Sequence, residues 1–154
     1  MRGIKVMTHM TRRSAFTLIE ILIVVVILAI LAAAVIPQFT DSTTDATNST
    51  TLYNLSALRS QIAMYKLQHG GTNPTLANLP TQLTTKTTSA GAAGGTLGPY
   101  MQFIPVNPAV NSSAFVAVAT AGTPPAAVVA GGAGWQYDAT TGNVYANDAA
   151  NVLK

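Results

Sequence analysis

One acidic residue, Glu20, lies inside the most apolar stretch of the chain. Residues 16–36 read FTLIEILIVVVILAILAAAVI, and only Thr17 and Glu20 in this run are polar. A carboxylate in hydrocarbon costs about 2.5–3.5 kcal/mol even on a lenient insertion scale, and such a group normally has a functional partner. The chain has no lysine, arginine or histidine between Arg13 and Arg59. No side-chain cation at membrane depth is therefore near enough to serve.

A free α-amino group is a cation that the chain itself can supply. If the chain is cut between Ala15 and Phe16, the new amine lies about one helical turn from Glu20. On a neighbouring copy, the same amine can reach Glu20 across a contact between two helices. The chemistry of the apolar run therefore predicts cleavage between Ala15 and Phe16.

Residues suited to catalysis or to metal binding are scarce. The chain has no cysteine and two distant histidines, His9 and His69, which argues against a zinc site and against the usual nucleophilic groupings. We predict that the protein is not an enzyme and has no cofactor. We also predict no metal, with Asp138 and Asp148 as weak calcium candidates. Asn143 and Asn147 are further oxygen donors in the same region, but calcium takes about six to eight oxygen ligands and only two of these donors are carboxylates. The alternative role of Asp138 is an Asx turn.

The apolar run has the length of a membrane-spanning helix. At about 1.5 Å per residue, residues 16–36 form a helix of roughly 31 Å, which matches the hydrocarbon core of a bilayer. The preceding segment, MRGIKVMTHMTRR, carries four positive charges and no negative ones. By the positive-inside rule this segment stays in the cytoplasm and the rest of the chain crosses. We predict a single-pass protein of the inner (cytoplasmic) membrane with an extracytoplasmic C-terminal head.

Three other interpretations of the N-terminus are open. A secretory signal peptide cleaved near residues 32–34 needs a shorter apolar region without an acid. A twin-arginine signal is suggested by Arg12 and Arg13, but Phe16 lies one place too late for it. A plain single-pass anchor explains the length and the flanking charges, and it leaves Glu20 without a role.

The composition argues against nucleic-acid binding. Charged residues make up only 8% of the chain, and the net charge of +3 comes from residues 1–15. Without that segment, four bases face five acids. Phosphate binding needs clustered lysine and arginine, which the remainder lacks. We therefore predict no nucleic-acid partner.

The sequence RRSAFTLIE, from Arg12 to Glu20, and the apolar run after it resemble the prepilin cleavage and methylation motif of type IV pilins and type II secretion pseudopilins. The resemblance implies that a prepilin peptidase removes residues 1–15 and methylates the new N-terminal amine of Phe16. Ala15 is then the last leader residue. Glu20 is the residue that neutralises the Phe16 amine of an adjacent subunit during assembly. The family usually has glycine before the cut, so Ala15 implies slower processing.

The same resemblance implies a function and a set of partners. The chain is expected to be a structural subunit of a type IV pilus-like filament or of a type II secretion pseudopilus, polymerised with itself through its N-terminal helix. Besides the peptidase, the implied partners are an inner-membrane assembly platform and a secretion or pilus ATPase. The segment GPYMQFIPVNP (98–108) and the sequence GWQYD look like the head of a major pseudopilin. The alternative function is a membrane-tethered extracytoplasmic binding module that does not polymerise.

The helix is predicted to continue past the membrane run as residues 37–69. Pro37 removes one backbone hydrogen bond in mid-helix and implies a kink, and the alternative is that the helix ends at Ile36. Apolar residues recur at three- and four-residue spacing from Leu52 to Tyr65, which indicates an amphipathic helix. The polar stretch before them is poor in helix formers, and a His-Gly-Gly sequence after them predicts the helix end.

Residues 70–154 are predicted to form a globular β head. Pro74 starts a short helix that Pro80 limits, and residues 113–120 have the β-branched and aromatic residues of a strand. Alternating aromatic and polar residues around the loop 138–142 predict a β-hairpin. The predicted class is α+β with the pilin fold: a long N-terminal helix, transmembrane in its first half, and a small antiparallel sheet packed on its C-terminal half.

Overall fold

The computed structural model describes residues 16–154. Its elements in chain order are helices α1 (Leu18–Gln68) and α2 (Leu79–Thr84) and strands β1 (Phe115–Ala117), β2 (Trp135–Asp138) and β3 (Asn143–Ala146). Two compact units are present, one that ends at Asp41 and one that runs from Ser42 to Lys154. The predicted class is confirmed, since a long N-terminal helix is combined with a small sheet as in the pilin fold.

Helix α1 is a continuous helix of 51 residues that passes through Pro37. The interpretation in which the helix ends at Ile36 is therefore wrong, and the predicted continuation is confirmed. The helix ends in the predicted glycine C-cap: Gly70 has a φ of 63°, and the Gly71 N–H donates to the Lys66 carbonyl oxygen at 2.8 Å. The kink at Pro37 stays a prediction.

The core of the second unit packs around one face of α1. Leu55, Leu58 and Ile62 share this face because they recur every three or four residues, and each is at most 2% exposed. Burying a side chain of this size contributes about 1.5–3 kcal/mol. The rest of the buried cluster is Tyr65, Leu79, Leu83, Trp135, Tyr137, Val144 and Ala146.

Strands β2 and β3 form the predicted hairpin. They pair antiparallel, with Trp135 opposite Ala146 and Tyr137 opposite Val144. The hairpin loop is closed by a hydrogen bond of 2.7 Å from the Gly142 N–H to the Asp138 carbonyl oxygen. This register places Trp135, Tyr137, Val144 and Ala146 in the core that contains the α1 face.

The sheet is mixed, so the prediction of an antiparallel sheet is wrong for one of its two strand pairs. Strand β1 runs parallel to β2, with Phe115 opposite Trp135 and Ala117 opposite Tyr137. A parallel pair needs a long connection instead of a tight turn, and residues 118–134 supply it. The strand predicted over residues 113–120 is confirmed in its central three residues only.

The short helix after Pro74 begins later than predicted. Helix α2 starts at Leu79, and Pro80 lies in its first turn instead of ending the helix. Proline is favoured there because the first helical residues have no intrahelical use for their N–H groups. Leu79 and Leu83 then lie one turn apart and are both fully buried in the core.

Candidate functional site

Glu20 and Thr17 form a capping box at the start of α1. Thr17 immediately precedes the first helical residue, and Glu20 is the third residue of the helix. The Glu20 N–H donates to Thr17 Oγ1 at 3.3 Å, and the Thr17 N–H donates to Glu20 Oε2 at 3.1 Å. The Thr17 hydroxyl also donates to Glu20 Oε2, at 3.0 Å. This reciprocal pattern satisfies N–H groups that have no partner within the helix, and it fixes the direction of the carboxylate.

The capping role of Glu20 is a second role, beyond the one predicted from sequence. The chain does supply hydrogen-bond donors to this acid, and the signal for them was the Thr-x-x-Glu spacing of residues 17–20. Both donors are neutral, so they orient the carboxylate but leave its negative charge uncompensated. Both also bind the same oxygen, Oε2, and no residue within 16–154 donates to Oε1. One carboxylate oxygen is therefore left for a partner from outside the described chain.

The helix around Glu20 has an uncovered apolar surface. Leu18, Ile23 and Ile36 are 85%, 53% and 64% exposed, and the aliphatic side chains between them are similarly open. Among the described residues, α1 is the one helix whose length and composition suit a membrane span. An apolar surface of this length needs lipid or protein around it, because water would be in contact with it otherwise. The helix therefore fits the predicted membrane anchor.

Of the two residues at the predicted cleavage site, only Phe16 lies within the described part of the chain. Ala15 lies outside the described residues. Phe16 is described, and its side chain is 80% exposed. The Thr17 N–H that binds Glu20 belongs to the peptide bond after Phe16. A cut between Ala15 and Phe16 would therefore leave every bond of the capping box in place.

The first calcium candidate, Asp138, holds a loop together. Its Oδ1 accepts the Thr140 N–H at 2.9 Å, and this contact is the predicted Asx turn. Its Oδ2 accepts the Gly122 N–H at 2.8 Å and the Thr141 hydroxyl at 2.9 Å. Burial raises the pKa of the Asp138 carboxyl, but these hydrogen bonds outweigh burial and hold the pKa below its ordinary value.

The second calcium candidate, Asp148, belongs to a different network. Its Oδ1 accepts the backbone N–H of Asn151 at 3.0 Å and the Asn151 side-chain amide at 2.8 Å. Its Oδ2 accepts the Asn107 amide at 2.9 Å. The Asn151 amide also donates to Asn48 Oδ1 on α1, at 3.1 Å. Asp148 thus ties the last residues of the second unit to helix α1.

The described residues contain no cluster of side chains that could bind a metal ion. Within residues 16–154, no three histidine or acidic side chains lie close enough together to hold an ion. Asp138 and Asp148 each use both carboxylate oxygens on protein donors. His69 is buried and stacks on the Tyr65 ring at 3.7 Å, with its Nε2 3.0 Å from Thr87 Oγ1. These contacts are those of core residues.

Comparison with known protein families finds a match at the N-terminus of the chain. Residues 10–36 match the model of the prokaryotic N-terminal methylation motif. The matched range contains the predicted cleavage site, the capping box and the whole apolar run. No curated protein and no solved structure matches the chain.

Proposed function

Because the prokaryotic N-terminal methylation motif is typical of type IV pilins and pseudopilins, we propose that this chain is a structural subunit of a type IV pilus-like filament or of a type II secretion pseudopilus. The observation that carries the proposal is Glu20, a charged acid at the third helical position of a membrane-length apolar helix. A structural role also agrees with the chemistry of the chain, whose other acids either hold loops or lie on the surface.

Maturation is the first step of the proposed function. A prepilin peptidase cuts between Ala15 and Phe16 on the cytoplasmic side and methylates the Phe16 amine. The amine then lies one residue before Thr17, at the positive end of the α1 dipole. Thr17 and Glu20 keep their mutual hydrogen bonds through this step, since none of them involves the leader.

Assembly follows from the charge on Glu20. In the proposed filament, the Glu20 carboxylate of one copy pairs with the Phe16 amine of a neighbour, while the apolar surfaces of the helices pack together. Either charge alone is costly in an apolar setting, so the pair selects a correctly placed subunit over a misplaced one. Thr17 donates to Oε2, and Oε1 accepts no hydrogen bond within residues 16–154, so Oε1 can accept one from the incoming amine.

The proposed setting is the inner membrane. Residues 16–36 span the bilayer once, with the second unit on the extracytoplasmic side, and an assembly platform and its ATPase add subunits to the growing filament. Pro37 follows the membrane run directly, and a kink there would let neighbouring helices pack along a curved path.

The experiment that tests this proposal combines a mass measurement with two variants. The mature N-terminal peptide should begin at methylated Phe16. Glu20→Gln keeps an oxygen that can accept from Thr17 but removes the charge, whereas Glu20→Ala removes both. We expect both variants to insert in the membrane and to lose sheared surface filaments, as seen by electron microscopy. A retained leader, a cut after Ala34, or a normal filament yield from Glu20→Gln would overturn the proposal.

A further inference from the structure

Helix α1 carries few charges within the second unit, and they lie on one flank. Between Ser42 and Gln68 the charged residues are Asp45, Arg59 and Lys66. Seven residues separate Asp45 from Leu52, Leu52 from Arg59 and Arg59 from Lys66. Residues seven apart nearly superpose along a helix and drift by only about 20° per step. This flank, the charged flank below, therefore has an acid near one end and a base near the other.

Only the two end charges of this flank are available to a partner. Arg59 is occupied, because its Nε donates to the Val144 carbonyl oxygen and its Nη2 to the Lys154 carbonyl oxygen, both at 2.9 Å. Asp45 is exposed and Lys66 is half-buried. Within residues 16–154, neither of these two side chains forms a hydrogen bond or an ion pair.

The helix surface beside the charged flank is uncovered and uncharged. Tyr53 is 75% exposed and Leu67 is 77% exposed. Between them, Ser56, Ala57 and Ser60 line a shallow groove on the helix. Their small side chains allow close approach of a second helix, while the bulkier residues provide apolar contact area. A helix lying here would have a charged residue of the flank within reach near each end.

We propose that the charged flank docks a second copy of this chain in parallel, displaced along the helix by about 31 Å, so that Asp45 of one copy meets Lys66 of the other. The displacement is the helical rise over the 21 residues that separate the two charges, at about 1.5 Å each. Two parallel copies without displacement would place Asp45 against Asp45 and Lys66 against Lys66. Repulsion between like charges disfavours that register. In the proposed filament every copy crosses the membrane in the same direction, so the helices are parallel and an antiparallel pair is excluded. For parallel copies, the charge pattern then favours this stagger.

This inference rests on the proposed filament and adds the axial register between two of its subunits. Charge reversal tests it directly. Asp45→Lys and Lys66→Asp should each lower the yield of sheared filaments by about two- to fivefold, because an exposed ion pair is worth little singly and repulsion replaces it. The double variant Asp45→Lys/Lys66→Asp should restore the yield. The matched control is Lys86→Asp, an exposed cation outside the helix, which should leave the yield unchanged.

Cysteine cross-linking tests the stagger itself, since the chain has no native cysteine. Asp45→Cys/Lys66→Cys should give a ladder of disulfide-linked multimers when intact filaments are mildly oxidised. A disulfide within one copy is impossible at about 31 Å, because the bond requires Cα atoms within about 7 Å. Asp45→Cys/Lys86→Cys should give no ladder. Normal filaments without the ladder, or equal ladders from both pairs, would overturn the stagger and leave the filament proposal intact. Absence of filaments from the parent chain would remove both.

Discussion

Glu20 has an observed role in capping helix α1 and a proposed role in assembly. As the third residue of α1, Glu20 caps the helix start through Oε2, and this exchange of hydrogen bonds needs no charge on the acid. A glutamine at this position would suit the cap nearly as well. Apart from its favourable interaction with the positive end of the α1 dipole, the charge has no partner within the described chain, where no cation lies near it. This difference between capping and charge is the reason why Glu20→Gln is the decisive variant for the proposed assembly.

Asp138 gives a pH dependence whose sign can be worked out. Its hydrogen bonds hold the folded-state pKa below the unfolded value of about 3.9, so its stabilising effect is complete above that value. The effect is lost as the pH falls through the folded-state pKa. We expect Asp138→Asn to lower the free energy of unfolding by about 1–3 kcal/mol at pH 7, because its amide cannot accept all three donors. The difference from the parent should shrink between about pH 5 and pH 2.

Thermal unfolding monitored by circular dichroism across this pH range checks the Asp138 prediction. The control is Asp45→Asn, since Asp45 is exposed and has no side-chain partner within residues 16–154. We expect that variant to differ little from the parent at any pH. A constant difference between Asp138→Asn and the parent down to pH 2 would contradict the assigned role of the carboxylate.

The stability of helix α1 differs along its length. In its threonine-rich part the hydroxyl groups donate to the carbonyl oxygen four residues earlier, as in Thr47 to Thr43 at 2.9 Å and Thr50 to Ala46 at 2.8 Å. Such bonds compete with the helical hydrogen bonds and weaken them. Residues 42–46 are exposed, whereas Leu55, Leu58 and Ile62 are buried. The same helix therefore has one part whose side chains are packed in the core and another part whose side chains are exposed.

Hydrogen exchange should resolve these two parts of α1. In detergent-extracted monomers we expect the amides of residues 42–46 to exchange at least about tenfold faster than those of residues 55–65, because local opening there exposes no buried side chain. Mass spectrometry of overlapping peptides measures both segments in one sample. Equal protection of the two segments would contradict the prediction that exposure of residues 42–46 makes this part of the helix open more easily.

The elements that could be predicted from sequence are those with a local signal. The hairpin can be predicted because alternating aromatic residues flank a loop with Asp138 at its start and Gly142 at its end. In the structure Gly142 has a φ of 83°, a conformation that favours glycine. The C-cap at Gly70 was equally local. The direction of β1 relative to β2 cannot be predicted from sequence, because it depends on the path of the long connection 118–134. The predicted start of α2 is wrong because a proline such as Pro80 can either end a helix or occupy its first turn.

The candidate site was predictable for a related reason. Glu20 stood out because an acid in an apolar run is costly, and its spacing from Phe16 could be counted directly. The networks of Asp138 and Asp148 could be predicted only in part. The Asx turn of Asp138 is local, whereas the donors at Gly122 and Asn107 lie far from these acids in sequence. Sequence could therefore identify these acids as oxygen donors, but it could not show that protein groups already use them.

Across the molecule, the residues that stabilise the fold of the second unit are different from the residues proposed to assemble the filament. The core cluster lies between Leu55 and Ala146, while Glu20 lies in the unit that ends at Asp41. We therefore expect Glu20→Ala to leave the unfolding of the second unit unchanged in detergent. Trp135 is the single tryptophan of the chain and is fully buried, so its fluorescence during denaturant unfolding reports on that core.

A core variant serves as the reference for how far a loss of core packing shifts the unfolding transition. Leu58→Ala removes a fully buried side chain and should lower the free energy of unfolding by about 2–5 kcal/mol, whereas Glu20→Ala should match the parent within the error of the extrapolation. If Glu20→Ala shifted the Trp135 transition as Leu58→Ala does, loss of filaments in that variant would reflect misfolding. If it does not shift, misfolding of the second unit is excluded as the cause of the loss, because that unit has kept its core. Together with a mature N-terminus at methylated Phe16, this result would place the defect in assembly between copies.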